Sequence, residues 1–146
     1  MKVFLDTCAL FKLYHKETGA KEIENIFIQN NITGLYLSEI SKIEFASTVW
    51  KKVRMKDITE MQAIALMELF ENDFSKFTFI QVDNIIIEQS IYFISKHGRE
   101  GLRTLDSIQL STSVMLKGRV DLFKTTDNLL NKFLIAEGLP TRLSHQ

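Results

Sequence analysis

Short apolar runs alternate with stretches of helical periodicity along this 146-residue chain, and two of the runs lead straight into an acid. Val3-Phe4-Leu5 is closed by Asp6, and Leu122-Phe123-Lys124-Thr125-Thr126 is closed by Asp127. Runs this short and apolar read as strands buried on both faces, and the helical stretches between them supply the crossovers that parallel strands require. The alternation therefore predicts a parallel sheet covered by helices on both faces. Open sheets of this kind bind ligands beyond the carboxyl ends of their strands, where Asp6 and Asp127 both fall.

Residues 2–5, 35–37, 77–82 and 122–125 are the expected strands, with 141–143 a last extended piece after Gly138-Leu139-Pro140. Helical spacing covers 9–15, 19–29, 38–55, 58–74, 84–96, 104–116 and 128–136. The third of these carries Ile40, Ile43, Phe45, Ala46 and Val49 on one face. Asn30-Asn31 and Gly34 mark a turn, Asp83-Asn84 offers an N-cap, and Gly98 and Gly118 close helices. With no linker, repeat or low-complexity segment, residues 1–146 form one domain, long enough to bury a core.

A net charge of zero gives no support to a broad basic surface. Attraction to phosphates would have to be local, or supplied by metal ions. Cys8 is the single cysteine, which excludes an internal disulfide and fits a reducing compartment. Asp6 interrupts the first apolar stretch at once, unlike a signal peptide, and no apolar run approaches the roughly 20 residues needed to span a bilayer. A cytoplasmic protein without a membrane partner is expected.

Glu44 and Asp106 join Asp6 and Asp127 as candidates, each in the early part of a helical pattern. Singly, each has an ordinary explanation. Asp6 and Asp127 suit helix caps, Glu44 lies at capping-box spacing from Ser41, and Asp106 suits the first turn of a helix. Jointly they point elsewhere, because carboxylates gathered from distant parts of a chain repel one another unless a divalent cation lies between them. Hard oxygen donors suit Mg²⁺ or Mn²⁺, which activate water and stabilise a leaving oxygen in phosphodiester hydrolysis. Removing one of these acids should weaken metal binding with little loss of folding stability.

At these residues the chain resembles the PIN-domain ribonucleases, most of all the VapC-type toxins of toxin–antitoxin pairs. Met1-Lys2-Val3-Phe4-Leu5-Asp6-Thr7-Cys8-Ala9-Leu10 looks like the family's opening strand with its first acid. Ser41-Lys42-Ile43-Glu44-Phe45-Ala46 is similar to the segment carrying the second, and Leu102 to Thr112 to the helix carrying the third at Asp106. Phe123-Lys124-Thr125-Thr126-Asp127 resembles the fourth block, a Thr-x-Asp at a strand end. The resemblance spans the chain with its blocks in order. It implies a three-layer α/β/α sandwich, PIN-like, with a mainly parallel central sheet of four to five strands. It also implies an Mg²⁺- or Mn²⁺-dependent endoribonuclease whose ligands are Asp6, Glu44, Asp106 and Asp127. A small antitoxin as inhibitor and a homodimer follow from it too. Cys8 stands where serine or asparagine is common, and Ser107 where alanine is common. Neither departure removes an acid, but Cys8 suggests sensitivity to oxidation.

Thr7 and Thr125 flank the acids, where their hydroxyls would position a water or phosphate, against an ordinary reading as local backbone bonding. Arg103 would hold a phosphate or an acidic partner, or stand as an exposed loop residue. Lys51, Lys52, Arg54 and Lys56 end a long helix, where the dipole favours cations in any case; Trp50 beside them would stack on a base or join the core. Leu10, Phe11, Leu13 and Tyr14 divide between core and a partner groove, and Met61, Leu66, Met67 and Phe70 between core and a dimer contact. His15, His97 and His145 lack ligand spacing for zinc. Two alternatives stay open: a structure-specific DNA or RNA nuclease outside a toxin–antitoxin system, and a non-catalytic PIN-like interaction module.

Overall fold

The computed structural model describes residues 1–143. Four parallel strands form the centre: β1 (Lys2–Leu5), β2 (Gly34–Ser38), β3 (Thr78–Ile80) and β4 (Leu122–Lys124). Their order is β3-β2-β1-β4. Val3 pairs with Leu35 on one side and Leu122 on the other, so β1 is central. The chain winds outward from β1 through β2 to β3, then returns to place β4 against the other side of β1. The reversal lies between β1 and β4.

Successive side chains of a strand point to opposite faces, and this divides the core in two. Val3, Leu5, Leu37 and Leu122 face one layer, formed by α1 (Thr7–Phe11), α2 (Ala20–Gln29), α3 (Ser41–Arg54) and α4 (Glu60–Asn72). Phe4 and Phe123 face the other, formed by α5 (Asn84–His97), α6 (Thr104–Met115) and α7 (Asn128–Ala136). The result is a three-layer α/β/α sandwich. Aromatic rings dominate the first layer: Phe45 and Phe70 lie 4.3 Å apart between centroids, with Phe11, Tyr14 and Phe74 around them. Leu10 and Phe11 are buried there, and Leu13 and Tyr14 pack against them, so these four belong to the core. On α4, Leu66 and Phe70 are core and Met67 packs against it, while Met61 is exposed.

The elements start where local chemistry allows. Thr59 and Gln62 close a reciprocal capping box on α4, and Asp83 caps α5 through the Ile86 N–H at 3.0 Å. Gly98 continues into a short 3₁₀ turn, and Gly101, at φ 104°, makes the left-handed exit. Helix α6 is buried over Ser107–Ser113 although polar residues fill much of it. Ser111, Thr112 and Ser113 satisfy their hydroxyls on the carbonyls of Ser107, Ile108 and Gln109 one turn back.

Three expectations need correcting. The helix expected from residue 38 begins at Ser41, because Ser38 is the last residue of β2 and its Oγ accepts from the Ile40 N–H. The first helix runs over Thr7–Phe11 rather than 9–15, since Asp6 caps it directly through Ala9 N–H. Residues 141–143 form no strand. The Phe123 N–H reaches Pro140 O at 2.9 Å, but proline has no N–H with which to continue a ladder. Among the described residues no helix is long and apolar enough to cross a membrane.

Candidate active site

Asp6 leaves the carboxyl end of β1 and Asp127 follows the carboxyl end of β4, on the two sides of the strand-order reversal. Glu44 lies in the first turn of α3, just after β2, and Asp106 in the first turn of α6. Asp6 is only 4% exposed. One of its oxygens accepts the Ala9 N–H at 2.9 Å and the other accepts the Thr125 hydroxyl in a short hydrogen bond. Thr125 Oγ1 in turn accepts the Asp127 N–H at 3.0 Å, so one hydroxyl ties the ends of β1 and β4 together. Asp127 Oδ1 caps α7 through the Leu130 N–H at 2.9 Å. Asp106 accepts no hydrogen bond among the described residues.

Glu44 is held differently. Its Oε1 accepts from Thr7 Oγ1 at 2.9 Å and from the Gln109 amide at 2.8 Å. Gln109 Nε2 also lies 3.1 Å from Ser41 Oγ and 3.2 Å from Thr7 Oγ1, and those two hydroxyls are 2.9 Å apart. The network joins α1, α3 and α6. Ser41 and Gln109 are the residues that sequence reasoning missed. The available signal was Gln109 itself, an amide one helical turn beyond Asp106 and flanked by Ile108 and Leu110.

The acids feel one another. Burial pushes Asp6 up to about 7, opposed by its bonds from Thr125 and Ala9, with Glu44 and Asp127 pushing further upward. Burial, then Asp127 and Glu44, also raise Asp106, while Arg103 pulls the other way. Cys8 stands among all four: partial burial and then Asp6, Asp127, Glu44 and Asp106 push its thiol up to about 12. Cys8 is exposed, and the acids around it favour the thiol over the thiolate, so its oxidation would depend on their charge being neutralised. Among the described residues none of the four acids has an ion-pair partner. Thr7 and Thr125 spend their hydroxyls on Glu44 and Asp6, and Arg103 is exposed just ahead of α6.

Two cavities of about 350 Å³ each flank the acids. One is lined by Thr7, Cys8, Ile43, Glu44, Lys51 and Leu105. The other, on the Thr125 side, is lined by Lys12, Glu22, Lys124, Thr126, Asn128 and Arg142, with Lys124 paired to Glu22. The donor chemistry suits a hard cation: four carboxylates, a buried one among them, and no basic group in contact. The spacing is open, however, and among the described residues no three His, Cys, Asp or Glu side chains close on a point that would hold an ion by themselves. Magnesium is commonly held by one or two carboxylates with water in its other positions, so an open set fits where a closed cage is not needed.

By sequence, no protein-family model matches the chain and no curated protein matches it. By structure it is similar to VapC20 of Mycobacterium tuberculosis, a sarcin-ricin-loop-cleaving toxin (TM-score 0.69, 14% identity, 94% of this chain and 95% of that one). FitAcB of Neisseria gonorrhoeae aligns over 97% of this chain and 96% of its own at TM-score 0.72 and 14% identity. A toxin–antitoxin complex from Klebsiella pneumoniae aligns over 86% of each chain at TM-score 0.60 and 18% identity. Strand order, layering and end-to-end overlap agree: the chain has the PIN-like α/β/α fold of the VapC toxins.

Proposed function

We propose that this protein is a divalent-metal-dependent endoribonuclease, acting as the toxin of a toxin–antitoxin pair. One observation carries the reading. At the strand-order reversal a buried carboxylate, Asp6, feels the charges of Glu44 and Asp127, and among the described residues no basic side chain pairs with it. Capping and the Thr125 bond account for the placement of Asp6 but not for the further acids gathered beside it, whose charges make its ionised form costly. A bound cation removes the cost.

Asp6, Glu44, Asp106 and Asp127 would hold Mg²⁺ or Mn²⁺, directly or through water. Such an ion supplies Lewis acidity toward a phosphoryl oxygen and lowers the pKa of water. The chain's own part is to aim the donors. Ala9 N–H and Thr125 fix Asp6, Leu130 N–H fixes one oxygen of Asp127, and Thr7 with Gln109 fixes one oxygen of Glu44. Asp106, free of hydrogen bonds, is the adaptable donor. Beside Thr125, Lys12 and Lys124 are paired with Glu17 and Glu22, so that cavity is of mixed charge and attraction to phosphates would fall mainly to the bound cation. Solved toxin–antitoxin complexes with this fold support an antitoxin as the partner.

The open spacing of the acids favours one competing reading, an interaction module that never binds catalytic metal. Expression in a bacterial host separates the two. The wild-type chain should arrest growth, while Asp6→Asn and Asp106→Asn should not, at equal protein levels. Equal toxicity from all three would remove the nuclease reading.

A further inference from the structure

We propose that Gln109 is a positioning residue for Glu44: its amide locks one carboxylate oxygen and so presents the other to the cation. This rests on the metal-dependent reading above. Gln109 is 2% exposed, on the inner side of α6. Its Nε2 meets Glu44 Oε1 at 2.8 Å while Thr7 donates to the same oxygen at 2.9 Å. Two donors from different helices on one oxygen fix both the position and the rotation of the carboxylate. Glu44 Oε2 takes no hydrogen bond among the described residues and is left as the free donor atom.

The other end of the amide gives the assignment its direction. Gln109 Oε1 is buried with no hydrogen-bond partner. Buried amides ordinarily satisfy both ends. Turned over, Gln109 Oε1 could accept from the Ser41 hydroxyl, but it would oppose Glu44 Oε1 and leave both N–H donors of Nε2 in the place that has no partner. Either orientation leaves one end of the amide without a partner, and the one in place keeps the charge-assisted bond to Glu44, the stronger kind. Packing does not account for it, because an apolar side chain of similar size would fill the space with no orphaned oxygen. Ser41, fully buried, completes the arrangement by accepting from the same nitrogen.

Partners that orient a metal-binding side chain are typically worth 10- to 100-fold in metal affinity or activity. The test is Mn²⁺ affinity, by calorimetry or electron paramagnetic resonance, for the wild type, Gln109→Met, Glu44→Gln and the double variant. Gln109→Leu serves as a second apolar replacement. Gln109→Met should weaken Mn²⁺ binding about 10-fold or more and lower kcat for RNA with KM unchanged. Its metal-free melting temperature should be held or raised, since the orphaned oxygen is gone. In the Glu44→Gln background the same substitution should change Mn²⁺ affinity less than about two-fold, because the group it acts through is already altered. Wild-type Mn²⁺ affinity in both apolar variants, or losses that simply add in the double variant, would overturn the positioning role and leave the metal reading standing. A wild-type chain that binds no Mn²⁺ would overturn both.

Discussion

Asp6 caps a helix, as its sequence position suggests, yet capping alone does not explain its burial or its neighbours. Its folded pKa, raised from 3.8 to about 7, sets a sign for stability. Between those values the folded state holds a proton on Asp6 that the unfolded state has released, so the contribution of Asp6 to metal-free stability falls as pH rises from about 4 to about 7. A shift of that size corresponds to a loss on the order of 4 kcal/mol. Across that range the melting temperature of the wild type should fall relative to that of Asp6→Asn, which should melt no lower than wild type at pH 8. Cys8 gives a second readout. Its raised thiol should alkylate slowly with iodoacetamide at pH 8, and Mn²⁺ should accelerate the reaction by neutralising the acids around it. Acceleration in EDTA instead would contradict the placement. The four acids were legible from sequence because each abuts a recognisable strand end or helix start. Gln109 was not, because its importance depends on α3 and α1 meeting α6, and no local pattern encodes that meeting.

The helices and strands follow the apolar periodicity closely, and the misjudged boundaries share a cause: a polar residue with two possible local roles. Ser38 reads as a helix cap but ends β2, and Ser41, at capping-box spacing from Glu44, turns its hydroxyl inward to the Thr7–Gln109 network instead. The extended piece after Gly138 stays outside the sheet because Pro140 supplies a carbonyl but no N–H. The aromatic cluster was legible only as separate apolar positions, whereas the structure gathers Tyr14, Phe45, Phe70, Phe74 and Phe77 around one centre. Phe70 is fully buried at that centre, so Phe70→Ala should destabilise the fold by roughly 3–5 kcal/mol, measured by urea unfolding. A loss below about 1 kcal/mol would mean that α4 does not pack as described.

The topology brings four separated acids to one end of the sheet, near enough to feel one another's charge, although among the described residues no three of them close on one point. Because β4 returns to the side of β1 opposite β2, the loops after β1 and β4 diverge and leave a crevice at their carboxyl ends. Asp6 and Asp127 sit on its two sides, and the first turns of α3 and α6 bring Glu44 and Asp106 within reach of their charge. Alternation and strand-end placement are enough to put Asp6 and Asp127 at this end of the sheet; the openness of the acid set is not legible in the sequence, since ligand spacing depends on side-chain rotamers. The direct measurement is cleavage of an RNA and a DNA of one sequence by the purified chain, with Mn²⁺ supplied and then removed by EDTA, alongside Asp106→Asn. The account predicts Mn²⁺-dependent cleavage of the RNA, lost in EDTA and reduced at least 100-fold in the variant, as expected for loss of a group that acts in the transition state. RNA cleavage that persists in EDTA, or that Asp106→Asn performs as well as the wild type, would contradict it.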